Sequence, residues 1–215
     1  VAAQFGTPLY IIDVSRIVRA IDGLRQGLAE HYRNCEVTYS VKTNYLSAVL
    51  RGVVKAGYRL EVVSRREILH AQLVGAEPSR LLFNGPVKSV ADLEFCHQHS
   101  MDVNADSVDE LEAAAIWPDW NAPPGVGALM STRQGGVSTG PWQSLNLGSH
   151  VGDDAASVAA VRRLLSERPI KVAGLHLHHS SRRDAASYCD RIDRLRAVAR
   201  LLGITPEYID IGGGI

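Results

Sequence analysis

The chain has 215 residues, 46% of them hydrophobic and 21% charged, a profile that supports a globular core and excludes disorder, collagen and coiled coil. Its 23 basic and 23 acidic residues cancel, so no net field draws it to a nucleic-acid backbone or an anionic membrane. No apolar run approaches the roughly 20 residues of a membrane span, and the opening VAAQFGTPLYIID lacks the regions of a signal peptide, so a cytoplasmic location is expected.

Strands are expected at 36–42 (EVTYSVK), 59–64 (RLEVVS), 81–85 (LLFNG) and 102–106 (DVNAD), which begin 23, 22 and 21 residues apart. Helical periodicity fills the intervals at 47–56, 65–73, 90–97 and 107–115. The last of these has a start signal, Ser107 followed by Glu110, that fits a capping box. The run GVGALMST, beginning at Gly125, falls 23 residues after Asp102 and keeps the beat for one more strand. A helix over 155–165, the strand KVAGLHLHH at 171–179, a helix over 184–202 ended by Gly203, and EYIDIGGG at 207–214 complete the series. Strand and helix alternating in this way give an α/β chain of parallel βα units, an incomplete (β/α) TIM-type barrel, since a complete one takes about 250 residues.

The stretch 117–168 breaks the composition. It holds all three tryptophans and none of the lysines, so a domain boundary is expected at Trp117. Cys35, Cys96 and Cys189 are too widely spaced for a disulfide framework or a zinc pattern and are expected to be buried free thiols. The chain begins without methionine and stops at Ile215 directly after three glycines, from which a fragment is expected.

The chemistry is expected at the C-terminal ends of the strands, where barrels place their active sites. Lys42 ends the first strand, where barrel walls can desolvate it and free the amine for a Schiff base, or where it can stand as an ordinary solvated charge. Gly212, Gly213 and Gly214 can turn successive amides toward a phosphate or form a plain turn, with Asp210 just before them. In HLHHSS, His176 and His178 share a strand face. They can hold a metal, stack on an aromatic cofactor with Ser181 on its phosphate, or pair with barrel carboxylates; no further metal ligand arrives at a recognisable spacing.

YSVKTN, EVVSRREI, FNGPVKS, HLHHSS and DIGGG, in that order, resemble the pyridoxal-phosphate enzymes of fold type III, the diaminopimelate and ornithine decarboxylase group, over about 1–116 and 169–215. The resemblance implies pyridoxal phosphate as cofactor, an amino-acid substrate and a homodimer. It implies that Lys42 carries the cofactor covalently and that the His178 ring stacks on its pyridine. It further implies that Ser181 and Gly212 to Gly214 contact the phosphate and that Glu61 and Glu67 flank the cofactor. Arg66, His179 and Ser180 depart from the family pattern. The family's Glu-Pro-Gly-Arg element and C-terminal β domain, with its cysteine and acidic pair and the tyrosine lent by the partner subunit, are expected beyond Ile215.

The stretch 117–168 is similar instead to the N-terminal part of the polyphenol oxidase or laccase-domain family, to which purine nucleoside phosphorylase activity is ascribed. TRQGGVS, SLNLGSHVGDD and the helix after them carry the similarity, with Val161 in place of an asparagine. Arg133, Asn146 and His150 are the polar residues it would contribute, or they serve as loop structure. Three functions follow: an amino-acid decarboxylase barrel, a metal-dependent phosphorylase or oxidoreductase acting through the middle stretch, and a non-catalytic chimeric fold.

Overall fold

The computed structural model describes residues 1–116, 128–133, 155–168, 170, 172–178 and 184–214, with side chains omitted at 128–133 and 155–157. Seven strands form one sheet in chain order, β1 (Thr38–Ser40), β2 (Arg59–Val62), β3 (Leu81–Phe83), β4 (Asp102–Ala105), β5 (Ala128–Arg133), β6 (Val172–His178) and β7 (Tyr208–Asp210). Every neighbouring pair is parallel. Parallel neighbours need crossovers, which α3 (Ser47–Lys55), α4 (Arg65–Leu73), α5 (Val90–Gln98), α6 (Val108–Ala114), α7 (Ala155–Glu167) and α8 (Ala185–Leu202) supply. Before them come a short α1 (Ala2–Phe5) and a long α2 (Val14–Ala29). The architecture is an incomplete (β/α) barrel, and among the described residues no helix is long and apolar enough to cross a membrane.

The run from Gly125 contributes a strand: Val103 pairs with Ala128 on one side of β5, and Arg133 pairs with His178 on the other. The polypeptide whose composition departs from the rest therefore completes the sheet between β4 and β6.

Two helices went unanticipated, the short α1 and the long α2. The α2 helix begins at Asp13, whose carboxylate accepts from the Arg16 N–H at 3.0 Å, and Val14, Ile17 and Ile21 pack against the core. The signal was present in the cap and in apolar residues at helical spacing. Its packing against α3 is close: a Cβ at Gly52 would collide with the Val14 side chain.

Two apolar clusters fill the space between strands and helices. The first joins Val49, Leu50 and Val53 of α3, Ile68 of α4 and Leu93 of α5 to Leu60 and Phe83 of the sheet. The second joins Leu111 of α6, Val161 and Leu164 of α7 and Leu195 and Val198 of α8 to Leu175 and Leu177 of β6. Each such side chain, taken fully out of water, contributes roughly 1.5–3 kcal/mol. Val161 is wholly buried, so the valine that stands out in the 117–168 stretch is a core residue.

Helices α4 and α6 share one start. Ser64 and Ser107 accept from the N–H groups of Glu67 and Glu110, while each glutamate reaches back to the residue before the serine, Val63 or Asp106, at 2.8 Å. The expected capping box at Ser107 is thus half formed, because Glu110 bonds the Asp106 N–H instead of the Ser107 N–H. A complete box stands at Ser89 and Asp92. The α8 helix ends as expected, with Gly203 at φ 68° in the left-handed region.

The thiols correct another expectation. All three cysteines are free, but only Cys96 is buried, and its thiol is pushed up to about 12 by burial and by the Asp92 charge. Cys35 is half-buried and Cys189 exposed, because α8 turns the latter away from the second apolar cluster.

Candidate active site

The C-terminal ends of the strands carry a continuous polar network. Lys42 lies in a tight turn directly after β1, and its Nζ is 3.4 Å from Glu61 Oε1 of β2. The same Glu61 oxygen accepts from Asn84 Nδ2 at 2.9 Å. Asn84 Nδ2 also lies 3.2 Å from His176 Nε2, and Asn84 Oδ1 accepts from Asn104 Nδ2 at 3.0 Å. His176 Nδ1 lies 2.9 Å from Asp210 Oδ2, and Asp210 Oδ1 accepts from the Gly212 N–H at 2.8 Å. Residues of β1 to β4, β6 and β7, or of the turns that follow them, thereby share one chain of contacts.

The donors and acceptors fix one orientation. Asn84 must turn its amide nitrogen toward Glu61 and His176, because its oxygen is used by Asn104. His176 Nε2 is then an acceptor, and its proton sits on Nδ1 facing Asp210. Burial alone would raise the Asp210 carboxyl, but His176 beside it and the Gly212 amide hold it below the ordinary aspartate value.

Of the two environments open to Lys42, desolvated between barrel walls or solvated, the structure shows the second in part: about half its side chain, 49%, is exposed, since the turn after β1 lifts it above the sheet. His178, the last residue of β6, is held down to about 4 by its burial and by Lys42, His176 and Arg191, with Glu61 opposing. Its ring is therefore neutral near pH 7, and the Gly213 N–H, 3.3 Å from Nδ1, assigns the remaining proton to Nε2.

The glycine turn packs directly on that strand end. Gly212 has φ 71°, and a Cβ there would lie 2.8 Å from the Leu177 carbonyl oxygen and 2.9 Å from both Cα and Nδ1 of His178. Only glycine satisfies both the backbone and the space. Among the described residues, the Gly212 amide is engaged by Asp210 and the Gly213 amide by His178.

Of the residues singled out from sequence, Lys42, Glu61, His178 and the glycines come together. Glu67 is engaged at the head of α4, where its carboxylate holds the Val63 N–H. Ser181, Asn146 and His150 lie outside the described residues, and Arg133 closes β5 with its backbone alone described.

Sequence reading missed several members. Asn104 is a buried amide in β4 and Asn84 a buried amide directly after β3, and FNGPVKS drew notice without assigning Asn84 a role. Lys88 of the same motif is wholly buried, with Nζ 2.8 Å from Glu110 Oε2 and 2.6 Å from the Gly85 oxygen, which braces the loop that follows Asn84. Arg191 gave no signal, because a helix sequence such as DRIDRLR reads as a solvated face.

Comparisons with known proteins bear on what this arrangement serves. The family model described as "Pyridoxal-dependent decarboxylase, pyridoxal binding domain" matches residues 14–215. A diaminopimelate decarboxylase of Actinosynnema pretiosum is 31% identical over 221 residues, covering 99% of this chain and 48% of the relative. A purine nucleoside phosphorylase of Pseudomonas aeruginosa is 54% identical over 55 residues, 26% of this chain and 23% of its own length. The crystal structure of a diaminopimelate decarboxylase from M. jannaschi superposes with a TM-score of 0.73 at 22% identity, over 100% of this chain and 52% of the other. The chain spans about half the length of the decarboxylases it matches.

Proposed function

The chain belongs to the pyridoxal-dependent decarboxylases through their pyridoxal binding domain, and from that membership we propose that it is the cofactor-holding barrel of an amino-acid decarboxylase. The cofactor of this family is pyridoxal phosphate. The observation that carries the reading is the gathering of Lys42, Glu61 and His178 beside a glycine turn that a single Cβ would obstruct.

The residues present suit that cofactor. The half-exposed Lys42 amine is open to an aldehyde, and Glu61 lies close enough to hold its proton or direct it. The neutral His178 imidazole offers a flat face for the pyridine, and the Gly213 amide fixes the plane of that ring. The glycine turn stands where a phosphate would need close backbone approach. Bound there, pyridoxal phosphate supplies an electron sink for the pair left behind when carbon dioxide departs. The part of the protein is to anchor and orient. Asn84 holds Glu61 toward Lys42, and the pairing of His176 with Asp210 ties that side to the turn.

The substrate in this proposal is an amino acid, a small molecule, the working assembly is a homodimer, and the support for both is the resemblance to the decarboxylase group. The proposal also divides the chain into barrel segments at 1–116 and 169–215 and a laccase-domain-like stretch at 117–168 that replaces the middle of the barrel, supported by the 55-residue likeness to a nucleoside phosphorylase. Its test is spectroscopic: the full chain mixed with pyridoxal phosphate develops a visible band that Lys42→Ala abolishes, and the absence of a band difference would sink cofactor binding.

The same 55-residue likeness favours a second reading, in which the middle stretch carries metal-dependent chemistry of its own. Stoichiometric metal in the purified chain, lost on His150→Ala, is expected only under that reading.

A further inference from the structure

Arg191 of α8 is wholly buried although its helix neighbours are charged and largely solvated. A guanidinium is kept in such a place only where acceptors meet its N–H groups. Here Nη1 donates to the Ile211 carbonyl at 2.7 Å and to the Gly213 carbonyl at 3.4 Å. Tyr188, one turn earlier, lies under the guanidinium with its ring centroid 4.3 Å away, and its hydroxyl donates to the same Gly213 carbonyl at 3.4 Å.

These contacts have a directional consequence. The carbonyl and N–H of a trans peptide point to opposite sides. Drawing the Ile211 and Gly213 carbonyls toward α8 turns the Gly212 and Gly214 N–H groups the other way. The Gly212 N–H is taken by Asp210. The Gly214 N–H belongs to the peptide whose carbonyl receives both Arg191 and Tyr188, and donation to a carbonyl polarises its own amide into a stronger donor. A positive charge also stands behind the turn, in a water-poor setting where it is felt more strongly than in bulk water.

We propose that Arg191 is a positioning residue that orients and polarises the Gly213–Gly214 peptide toward a phosphate, so that the turn takes a phosphate dianion in preference to an uncharged group. The inference rests on the reading of pyridoxal phosphate as the ligand and deepens it. It assigns anion selectivity to a side chain that never touches the anion.

The test compares pyridoxal phosphate with pyridoxal, which lacks the phosphate, by absorbance titration of the full chain carrying the native residue, Arg191→Met, Arg191→Lys or Tyr188→Phe. Arg191→Met is expected to weaken pyridoxal phosphate by about tenfold or more and to leave pyridoxal within about twofold, with Arg191→Lys recovering most of the loss. Tyr188→Phe is expected to cost about threefold on pyridoxal phosphate alone. Equal weakening of both compounds by Arg191→Met, or of neither, overturns the proposal. Should Arg191→Met fail to fold by circular dichroism, Tyr188→Phe decides: a phosphate-selective loss supports the proposal, and its absence overturns it. A native chain that binds neither compound removes the cofactor reading itself and this inference with it, an outcome read before any variant is made.

Discussion

The Gly213 amide lies 3.3 Å from Nδ1 of His178, so the glycine turn after β7 and the ring at the end of β6 are set by one hydrogen bond. Moving the turn moves the ring. This coupling makes Gly212, the residue pressed against His178, the most sensitive position in the turn.

Gly212→Ala should therefore destabilise the fold by about 2–4 kcal/mol, combining the cost of a left-handed alanine with overlap against the Leu177 carbonyl and His178. Gly213→Ala, whose Cβ meets nothing within 4 Å, should cost far less. Urea midpoints of the two variants measure the difference, and equal midpoints would contradict the packing described.

His178 gives the fold a pH dependence with a definite sign. Its folded value of about 4 lies below the ordinary 6.5, so between those values the unfolded chain binds the proton and the folded chain does not. Stability from this group is complete above about pH 6.5 and is lost as pH falls toward 4. His178→Gln should flatten that part of the urea-midpoint profile, and an unchanged slope would show that another group is responsible.

Asn84→Leu should cost about 2–3 kcal/mol, because it strips a donor from Glu61 and His176 and an acceptor from Asn104 in a buried setting. A nitrogen-detected NMR spectrum reports the second effect. In the native chain His176 should show a protonated Nδ1, and in Asn84→Leu the ring should lose its single tautomer.

Val161→Asn places an amide in the second apolar cluster. A loss of about 3 kcal/mol is expected, from lost valine burial and an amide without partners. A neutral substitution would mean that α7 does not share the barrel core.

Much of this was legible in advance because βα units announce themselves by spacing: β2, β3 and β4 begin where the apolar runs begin and β1 two residues after its run, while Lys42, His178 and the glycines were singled out at strand ends and by the order of the motifs. Three features resisted. The α2 helix lies outside the repeating beat, so its cap at Asp13 had no rhythm to support it. Asn104 is a polar residue inside β4 and Asn84 one directly after β3, and only the cross-strand neighbours reveal that they hydrogen-bond to each other. Arg191 is indistinguishable from the solvated arginines of α8 until Ile211 and Gly213, more than a helix length away in sequence, fold back onto it.

The proposal that Lys42 carries pyridoxal phosphate is tested most directly by absorbance. The full chain titrated with pyridoxal phosphate should develop a visible band that saturates at one equivalent, survives Lys55→Ala and disappears in Lys42→Ala. A band that persists in Lys42→Ala, or that never forms in the native chain, would contradict it.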